Sequence, residues 1–130
     1  MKNSCDRYRD EQRIDHMLAA LEAIVRNSIG VTRDALFVED NITKVLMYDL
    51  IVLGEAANRI SEAFASAHPE IEWSEIAALR HKLVHDYAGV DYGILWEVVS
   101  KDVPLLLPKI KAIHSTLPTV VLDPKVGELL

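Results

Sequence analysis

The sequence predicts an all-α protein, an up-and-down bundle of four to five helices. Apolar residues recur at three- and four-residue steps along most of the chain, strand and helix patterns do not alternate, and no internal repeat is present. A chain of 130 residues is long enough for one domain with a core and too short for two. We therefore expect residues 1–117 to form one helical domain and residues 118–130 to form a C-terminal tail.

The first long helix is predicted from about Asp6 to Asn27. Gly30 is placed to end it, and Thr32 is placed to cap a short helix that runs through Leu36. The opposite face of the long helix is charged, as expected for an amphipathic helix. The apolar residues that follow the helical period are Ile14, Met17, Leu18, Leu21, Ile24 and Val25.

A second long helix is predicted from about Ile42 to Ala67. Asp40 or Asn41 is suited to cap its start, and Pro69 ends it. Its middle, Leu46 to Ala57, is apolar around much of its circumference, so we expect this helix to face a partner as well as the core. The residues available to the core are Val45, Leu46, Leu53, Ala57, Ile60 and Phe64.

A third helix is predicted to start at Trp73 and to continue until Gly89 stops it. Asp91 is a suitable N-cap for the next helix. Pro104 fits the first turn of a further helix, whereas Pro108 predicts a kink or a separate short helix. The tail beyond Pro118 shows no helical period, and we expect it to be loosely packed or to depend on a partner.

The third helix carries the most chemically dense stretch of the chain. Within a few residues it holds two imidazoles, two permanent cations and a phenol: Arg80, His81, Lys82, His85 and Tyr87. A guanidinium binds phosphate oxygens through two parallel hydrogen bonds, and an imidazole exchanges protons near neutral pH. On one helix His81 and His85 share a face, as do Arg80 and Tyr87, but Arg80 and His85 diverge by about 140°. Convergence of Arg80 and His85 would therefore need a bent arginine or a second copy of the helix.

This pattern resembles the signature of the HEPN superfamily, and of its HepT-like toxins in particular. The signature is an arginine, a polar residue, three more residues, a histidine, one residue and a tyrosine, here Arg80, His81, His85 and Tyr87. The likeness extends from about Asp6 to about Ile113, although His81 stands where asparagine is commoner in the family. The flanking stretches that agree are Leu53–Ala57, His68–Trp73, Gly89–Asp91, Leu95–Trp96 and Asp102–Pro104.

The resemblance implies a cytoplasmic, metal-independent endoribonuclease that acts as a homodimer and needs no cofactor. It implies that Arg80 and His85 are catalytic and that His81 and Lys82 support RNA binding. Transfer RNA or messenger RNA would be cut to a 2′,3′-cyclic phosphate and a 5′-hydroxyl. A cognate nucleotidyltransferase antitoxin would inhibit the enzyme by attaching AMP to Tyr87.

Two other functions fit the same residues. The protein could be a non-catalytic module that regulates a nucleotidyltransferase and binds a nucleotide phosphate through Arg80. It could also be a metal-dependent hydrolase, because His81 and His85 at four-residue spacing can chelate a metal. The metal pattern is poor, since Lys82 stands beside the histidines. A third ligand is missing unless Asp86, Asp91 or His114 approaches.

Composition limits the class of partner. A net charge of −6 argues against nucleic-acid binding through the field of the whole protein. RNA would have to contact a local basic cleft at Arg80 to Lys82, with Arg59 as a further candidate, and DNA is not expected as a partner. The acidic remainder would suit a basic partner protein. The single Cys5, the polar start and the lack of a membrane-length apolar run favour the cytoplasm.

Overall fold

A computed structural model describes residues 4–38, 40–85 and 89–118. Within these ranges the chain forms eight α-helices, one π-helical turn and one two-stranded antiparallel hairpin. The prediction of an all-α bundle is confirmed. In chain order the elements are α1 (Ser4–Ser28), α2 (Arg33–Val38), α3 (Asp40–Asn58), α4 (Glu62–Ala67), α5 (Trp73–Ala77), α6 (Leu79–Leu83), β1 (Val84–His85), β2 (Gly89–Val90), α7 (Tyr92–Glu97), the π-helical turn (Val98–Asp102) and α8 (Val103–Thr116).

The core lies between α1, α3 and α8, and α5 and α6 pack on α3. On α3 the buried face repeats at three and four residues, so that one stripe meets the core. Val45 is 46% exposed because it lies about 100° from that stripe, and its predicted place in the core is wrong. The largest fully buried side chains are Ile14, Met17, Leu21, Ile24, Leu36, Leu46, Leu50, Leu53, Leu83, Leu95, Val103 and Ile110.

The second predicted helix is divided into α3 and α4, so its predicted continuity to Ala67 is wrong. The buried Asp10 of α1 causes the division. Its Oδ1 accepts a hydrogen bond from Ser61 N at 2.8 Å, and its Oδ2 accepts one from Ser61 Oγ at 2.7 Å. Ser61 Oγ in turn accepts from Phe64 N and caps α4. Ser61 is thereby held in an extended conformation that no helix can include.

The predicted ends of the early helices agree with the structure. Gly30 has a φ of +77° directly after α1, and Thr32 Oγ1 accepts a hydrogen bond from Ala35 N at the start of α2. Helix α3 begins at Asp40, two residues before the predicted start at about Ile42. Which side chain caps α3 stays a prediction, because residue 39 and the Asp40 side chain lie outside what the structure describes.

The two prolines of α8 have different consequences. Pro104 lies in the first turn, as predicted, and the wider π-helical turn directly precedes it. Pro108 does not divide α8, so a separate short helix after it is ruled out. Its missing N–H would have bonded to the carbonyl of Pro104 in the first turn, so the helix loses one hydrogen bond near its end.

None of the helices in the described part of the chain is long and apolar enough to cross a membrane. Residues 119–130, nearly all of the predicted tail, lie outside the described residues. The domain limits 1–117 and 118–130 therefore stay a prediction.

Candidate functional site

The predicted third helix ends earlier than expected, and this changes the geometry of the motif. Helix α6 stops at Leu83, Val84 is extended, and His85 lies in β1. Strand β1 pairs with β2 through Val84 opposite Val90 and His85 opposite Gly89. Gly89 has a φ of +82°, which glycine adopts without strain. It therefore serves a tight hairpin, and its predicted role as the stop of a helix is wrong.

A close approach of backbones fixes α5 and α6 on α3. A Cβ added at Gly54 of α3 would lie 3.1 Å from the carbonyl oxygen of Ile76 in α5. Leu79 and Leu83 of α6 are buried against the core, whereas Arg80 and His81 are exposed. The sequence thus places Arg80 and His81 on the outside of a firmly packed segment.

The two permanent cations of α6, Arg80 and Lys82, differ in their contacts. Lys82 forms an ion pair with the carboxylate of Glu75. Arg80 and His81 form no hydrogen bond or ion pair with any residue that the structure describes. Asp86, the other acid next to the motif, lies outside those residues. The guanidinium of Arg80 therefore faces solvent with its donors available to an anion.

His85 contacts Asp91, which the sequence indicated only as a helix cap or as an extra metal ligand. Its side chain is 53% exposed, and its Nε2 lies 3.3 Å from Asp91 Oδ2. Asp91 Oδ1 accepts a hydrogen bond from Ile94 N at 3.0 Å, which confirms the predicted N-cap of α7. The pairing with His85 was missed because it depends on the hairpin, which returns the chain beside β1. The local signal of that turn was weak: Gly89, with one β-branched residue on either side of the turn at Val84 and Val90.

The surroundings of Asp91 keep its carboxyl group ionised. The backbone N–H of Ile94 lowers the pKa of Asp91 most, and the hydrogen bond with His85 lowers it further. The site thus holds an anion at Asp91, the exposed imidazole of His85 hydrogen-bonded to it, and the exposed cation of Arg80, which has no ion-pair partner among the described residues. Such a set can bind a phosphate and exchange a proton.

The geometry does not provide the shared helix face on which the metal hypothesis rested. His81 and His85 do not share a helix face, because α6 ends between them. Nε2 of His114 lies 2.6 Å from Oδ1 of Asp15, and this contact joins α8 to α1. Among the residues that the structure describes, no three His, Cys, Asp or Glu side chains are placed to hold one metal ion. The expectation that no cofactor is needed is not tested by this arrangement.

Tyr87, the predicted modification site, lies outside the described residues. Helix α6, which was predicted to carry Arg80 and Tyr87 on one face, ends at Leu83. The position of the Tyr87 phenol relative to Arg80 stays untested.

A groove of about 560 Å³ lies beside α6, between α5, α6, α7 and α8. Its floor is apolar, but its rim holds five carboxylates and only two lysines. Such a rim repels the phosphates of RNA. The exposed Arg80 and His81 therefore form the better phosphate-binding surface. The charged rim residues are Glu70, Glu72, Glu75, Glu97, Asp102, Lys82 and Lys109.

Comparison with known proteins agrees with the fold and with this motif. The family model "Ribonuclease HepT-like" matches residues 17–113, a range that includes Arg80, His85 and Tyr87. The chain therefore belongs to the HepT-like family of the HEPN superfamily. No solved structure shows a significant match.

Three relatives illustrate the range of similarity. "Putative RNase TTE0752" of Caldanaerobacter subterraneus subsp. tengcongensis is 31% identical over 77% of this chain and 89% of its own length. "Probable ribonuclease HepT" of Thermococcus cleftensis is 43% identical over 50% of this chain and 59% of its own length. "Gamma-glutamylcyclotransferase and putative RNase MJ0434" of Methanocaldococcus jannaschii is 32% identical over 80% of this chain and 47% of its own length.

Proposed function

We propose that this protein is a metal-independent endoribonuclease and the toxin of a toxin–antitoxin pair. The observation that carries the proposal is the surface formed where α6 meets β1. There the guanidinium of Arg80, unpaired among the described residues, and the exposed, Asp91-bound imidazole of His85 lie within the part of the chain that matches the ribonuclease HepT-like family. The names of the relatives describe ribonucleases and support the same class.

The proposed reaction uses the two groups for different tasks. Arg80 binds the non-bridging oxygens of the scissile phosphate and stabilises the charge of the phosphorane. His85 exchanges a proton with the ribose 2′-hydroxyl or with the leaving 5′-oxygen. The products are a 2′,3′-cyclic phosphate and a 5′-hydroxyl. His81 and Lys82 extend the basic surface toward neighbouring phosphates of a transfer RNA or messenger RNA.

We further propose that the working unit is a homodimer. A two-fold axis beside α6 would place two Arg80 and two His85 side chains around one cleft and would double its positive charge. The outward face of α3 supports such an interface, because Val45 is 46% and Tyr48 is 69% exposed there. One face of the Leu46–Ala57 segment packs in the core. The adjoining exposed apolar face of α3 would bind a second copy of the chain.

Regulation is proposed to act on Tyr87. A cognate nucleotidyltransferase antitoxin would attach AMP to the phenol, which follows His85 by two residues. The added phosphate would compete with RNA for the Arg80 guanidinium, and the nucleoside would fill the cleft. The pair would act in the cytoplasm, where the RNA substrates are found.

Cleavage in the presence of excess EDTA tests this function. The full chain, purified without its partner, is incubated with transfer RNA and messenger RNA, and the ends of the fragments are mapped. We expect chelator-resistant cuts that leave cyclic phosphates, and His85→Ala should slow them about 10²–10⁴-fold. Cleavage silenced by EDTA would instead indicate a metal-dependent hydrolase. Nucleotide binding without any cleavage would indicate a regulatory module, because Arg80 alone suffices to bind a phosphate.

A further inference from the structure

Asp91 lies between β1, which carries His85, and α7, and both its carboxylate and its backbone N–H form contacts. Its Oδ2 lies 3.3 Å from His85 Nε2, and its Oδ1 accepts a hydrogen bond from Ile94 N at 3.0 Å. Its backbone N–H donates to Leu83 O at 2.7 Å. The carboxylate therefore cannot turn away from His85 without losing the cap of α7.

The hairpin also fixes the backbone of His85. Residues His85 and Gly89 face each other across β1 and β2, and the left-handed Gly89 closes the turn. Strand β1 follows α6 directly, and Leu83 at the junction is fully buried. The distance between the imidazole and the carboxylate is thus set by three anchored elements: α6, the hairpin and the start of α7.

The charge state of Asp91 selects one form of the neutral imidazole. An ionised carboxylate accepts hydrogen bonds and donates none, so the proton of neutral His85 resides on Nε2. The other nitrogen, Nδ1, then carries the lone pair. Among the described residues, the other charged or titratable side chains on the elements around this pair are Arg80, His81 and Lys82 of α6 and Tyr92 and Glu97 of α7. Strand β2, Gly89–Val90, contributes no titratable side chain.

We infer that Asp91 is a positioning residue of the nuclease site: it orients His85, holds the proton on Nε2, and leaves Nδ1 as the atom that exchanges the proton with RNA. The inference rests on the proposed ribonuclease function. Nδ1 takes the proton of the 2′-hydroxyl as the 2′-oxygen bonds to phosphorus. The bond between phosphorus and the 5′-oxygen breaks, and water protonates the departing oxygen. The hydroxide that remains recovers the proton from Nδ1.

The test replaces Asp91 by asparagine, which caps a helix as well as aspartate does and should preserve the fold. The amide can donate to Nε2 and so favours the wrong tautomer. In a serine protease triad, replacing the aspartate by asparagine lowers kcat roughly 10⁴-fold, because the histidine adopts the wrong tautomer. We expect Asp91→Asn to lower kcat about 10²–10⁴-fold with little change in KM. The pH at which cleavage is half-maximal should also move, because the imidazolium loses its anion. Asp91→Ser, which keeps a capping oxygen but is too short to reach His85, should lose activity as well.

Two further measurements separate positioning from folding. In the His85→Ala background Asp91→Asn should cause almost no additional loss, because its only target is gone. Nitrogen-15 spectra of the histidine rings should show the Nε2–H form of His85 in the wild type and its depletion in Asp91→Asn. This spectrum requires no RNA, so it tests the inference even if the wild type does not cleave. A folded Asp91→Asn protein with a native rate, native pH profile and unchanged tautomer would overturn the inference.

Discussion

The ammonium of Lys82 pairs with the carboxylate of Glu75, whereas the guanidinium of Arg80, two residues earlier, meets no charged group among the described residues. Two cations on the same short helix therefore have different environments. The pair at Lys82 is solvent-exposed and fixes part of the groove rim. The difference allows the contribution of general positive charge to be separated from that of the guanidinium.

Arg80→Lys should reduce RNA cleavage by roughly 10²-fold or more, because lysine keeps the charge and loses the two parallel donors that match a phosphate. The matched control is Lys82→Gln, which removes a cation already paired with Glu75. Because Lys82 is proposed only to help bind neighbouring phosphates, we expect Lys82→Gln to raise KM by less than about fivefold, equivalent to under about 1 kcal/mol, with little change in kcat. Initial rates at constant salt measure both. Equal losses in the two variants would reduce Arg80 to one contribution among several to a positive field.

His85→Ala and Leu83→Ala should separate chemistry from stability on the same short segment. His85 is exposed and Leu83 is fully buried. We expect His85→Ala to lower cleavage about 10²–10⁴-fold with near-native unfolding, because it removes a proton-transfer group from the surface. Leu83→Ala should cost about 2–5 kcal/mol of stability, because it leaves a cavity under the motif. Denaturant titration and cleavage rates give both quantities. A strongly destabilised His85→Ala protein would assign this histidine a structural role.

The sequence predicted those parts of the fold that repeat locally. The three- and four-residue period identified the long helices, Gly30 marked the end of α1, and Thr32 and Asp91 marked the starts of the short helices α2 and α7. The hairpin was not predicted, because strands of two residues are too short to show an alternating period. The pairing of Asp91 with His85 follows from that hairpin and was missed with it.

The division between α3 and α4 was missed for a different reason. It depends on a contact between Asp10 and Ser61, which are 51 positions apart in sequence, and no local pattern encodes such a contact. The residue identities of the candidate site could be read from the motif. Their spatial arrangement required the tertiary structure, because His85 leaves the helix that carries Arg80.

Asp49 predicts a specific dependence of stability on pH. Burial raises its pKa above the ordinary value, and the nearby charge of Arg26 offsets this only in part. A carboxyl whose pKa is raised by folding stabilises the native state when protonated. This stability is lost as the pH rises through the folded pKa. At neutral pH the ionised Asp49 therefore weakens the fold, and Asp49→Asn should raise the unfolding temperature.

The gain in Asp49→Asn should shrink as the pH falls below about 4, where the carboxyl of the unfolded chain is also protonated. Glu22→Gln removes the same charge from an exposed position on α1 and controls for the reduced net charge. Thermal unfolding of the three proteins from acidic to neutral pH makes the comparison. A gain of equal size in Glu22→Gln, or one that does not vary with pH, would contradict this account of Asp49.

The proposed dimer predicts recovery of activity from two inactive proteins. In a mixed dimer of Arg80→Ala and His85→Ala, one site combines the intact Arg80 of one subunit with the intact His85 of the other. Half of the dimers are mixed after free exchange, and each holds one complete site of two, so about a quarter of wild-type activity should return. Separately tagged copies of Arg80→Ala alone provide the control. If the tags show that subunits exchange and no cleavage returns, Arg80 and His85 act within one subunit.

Tyr87 is expected to be the residue through which a nucleotidyltransferase silences the nuclease. Co-expression with the partner should add the mass of AMP to the wild-type chain, and Tyr87→Phe should remain unmodified, because phenylalanine lacks the acceptor oxygen. Tyr48→Phe is the matched control, since Tyr48 is an exposed phenol, 69% accessible on α3. It should still be modified. Tyr87→Phe should retain cleavage and escape inhibition, because no phosphate is attached to compete for Arg80. If the partner silences Tyr87→Phe as fully as it silences the wild type, inhibition depends on binding of the antitoxin alone, and the phenol has no part in it.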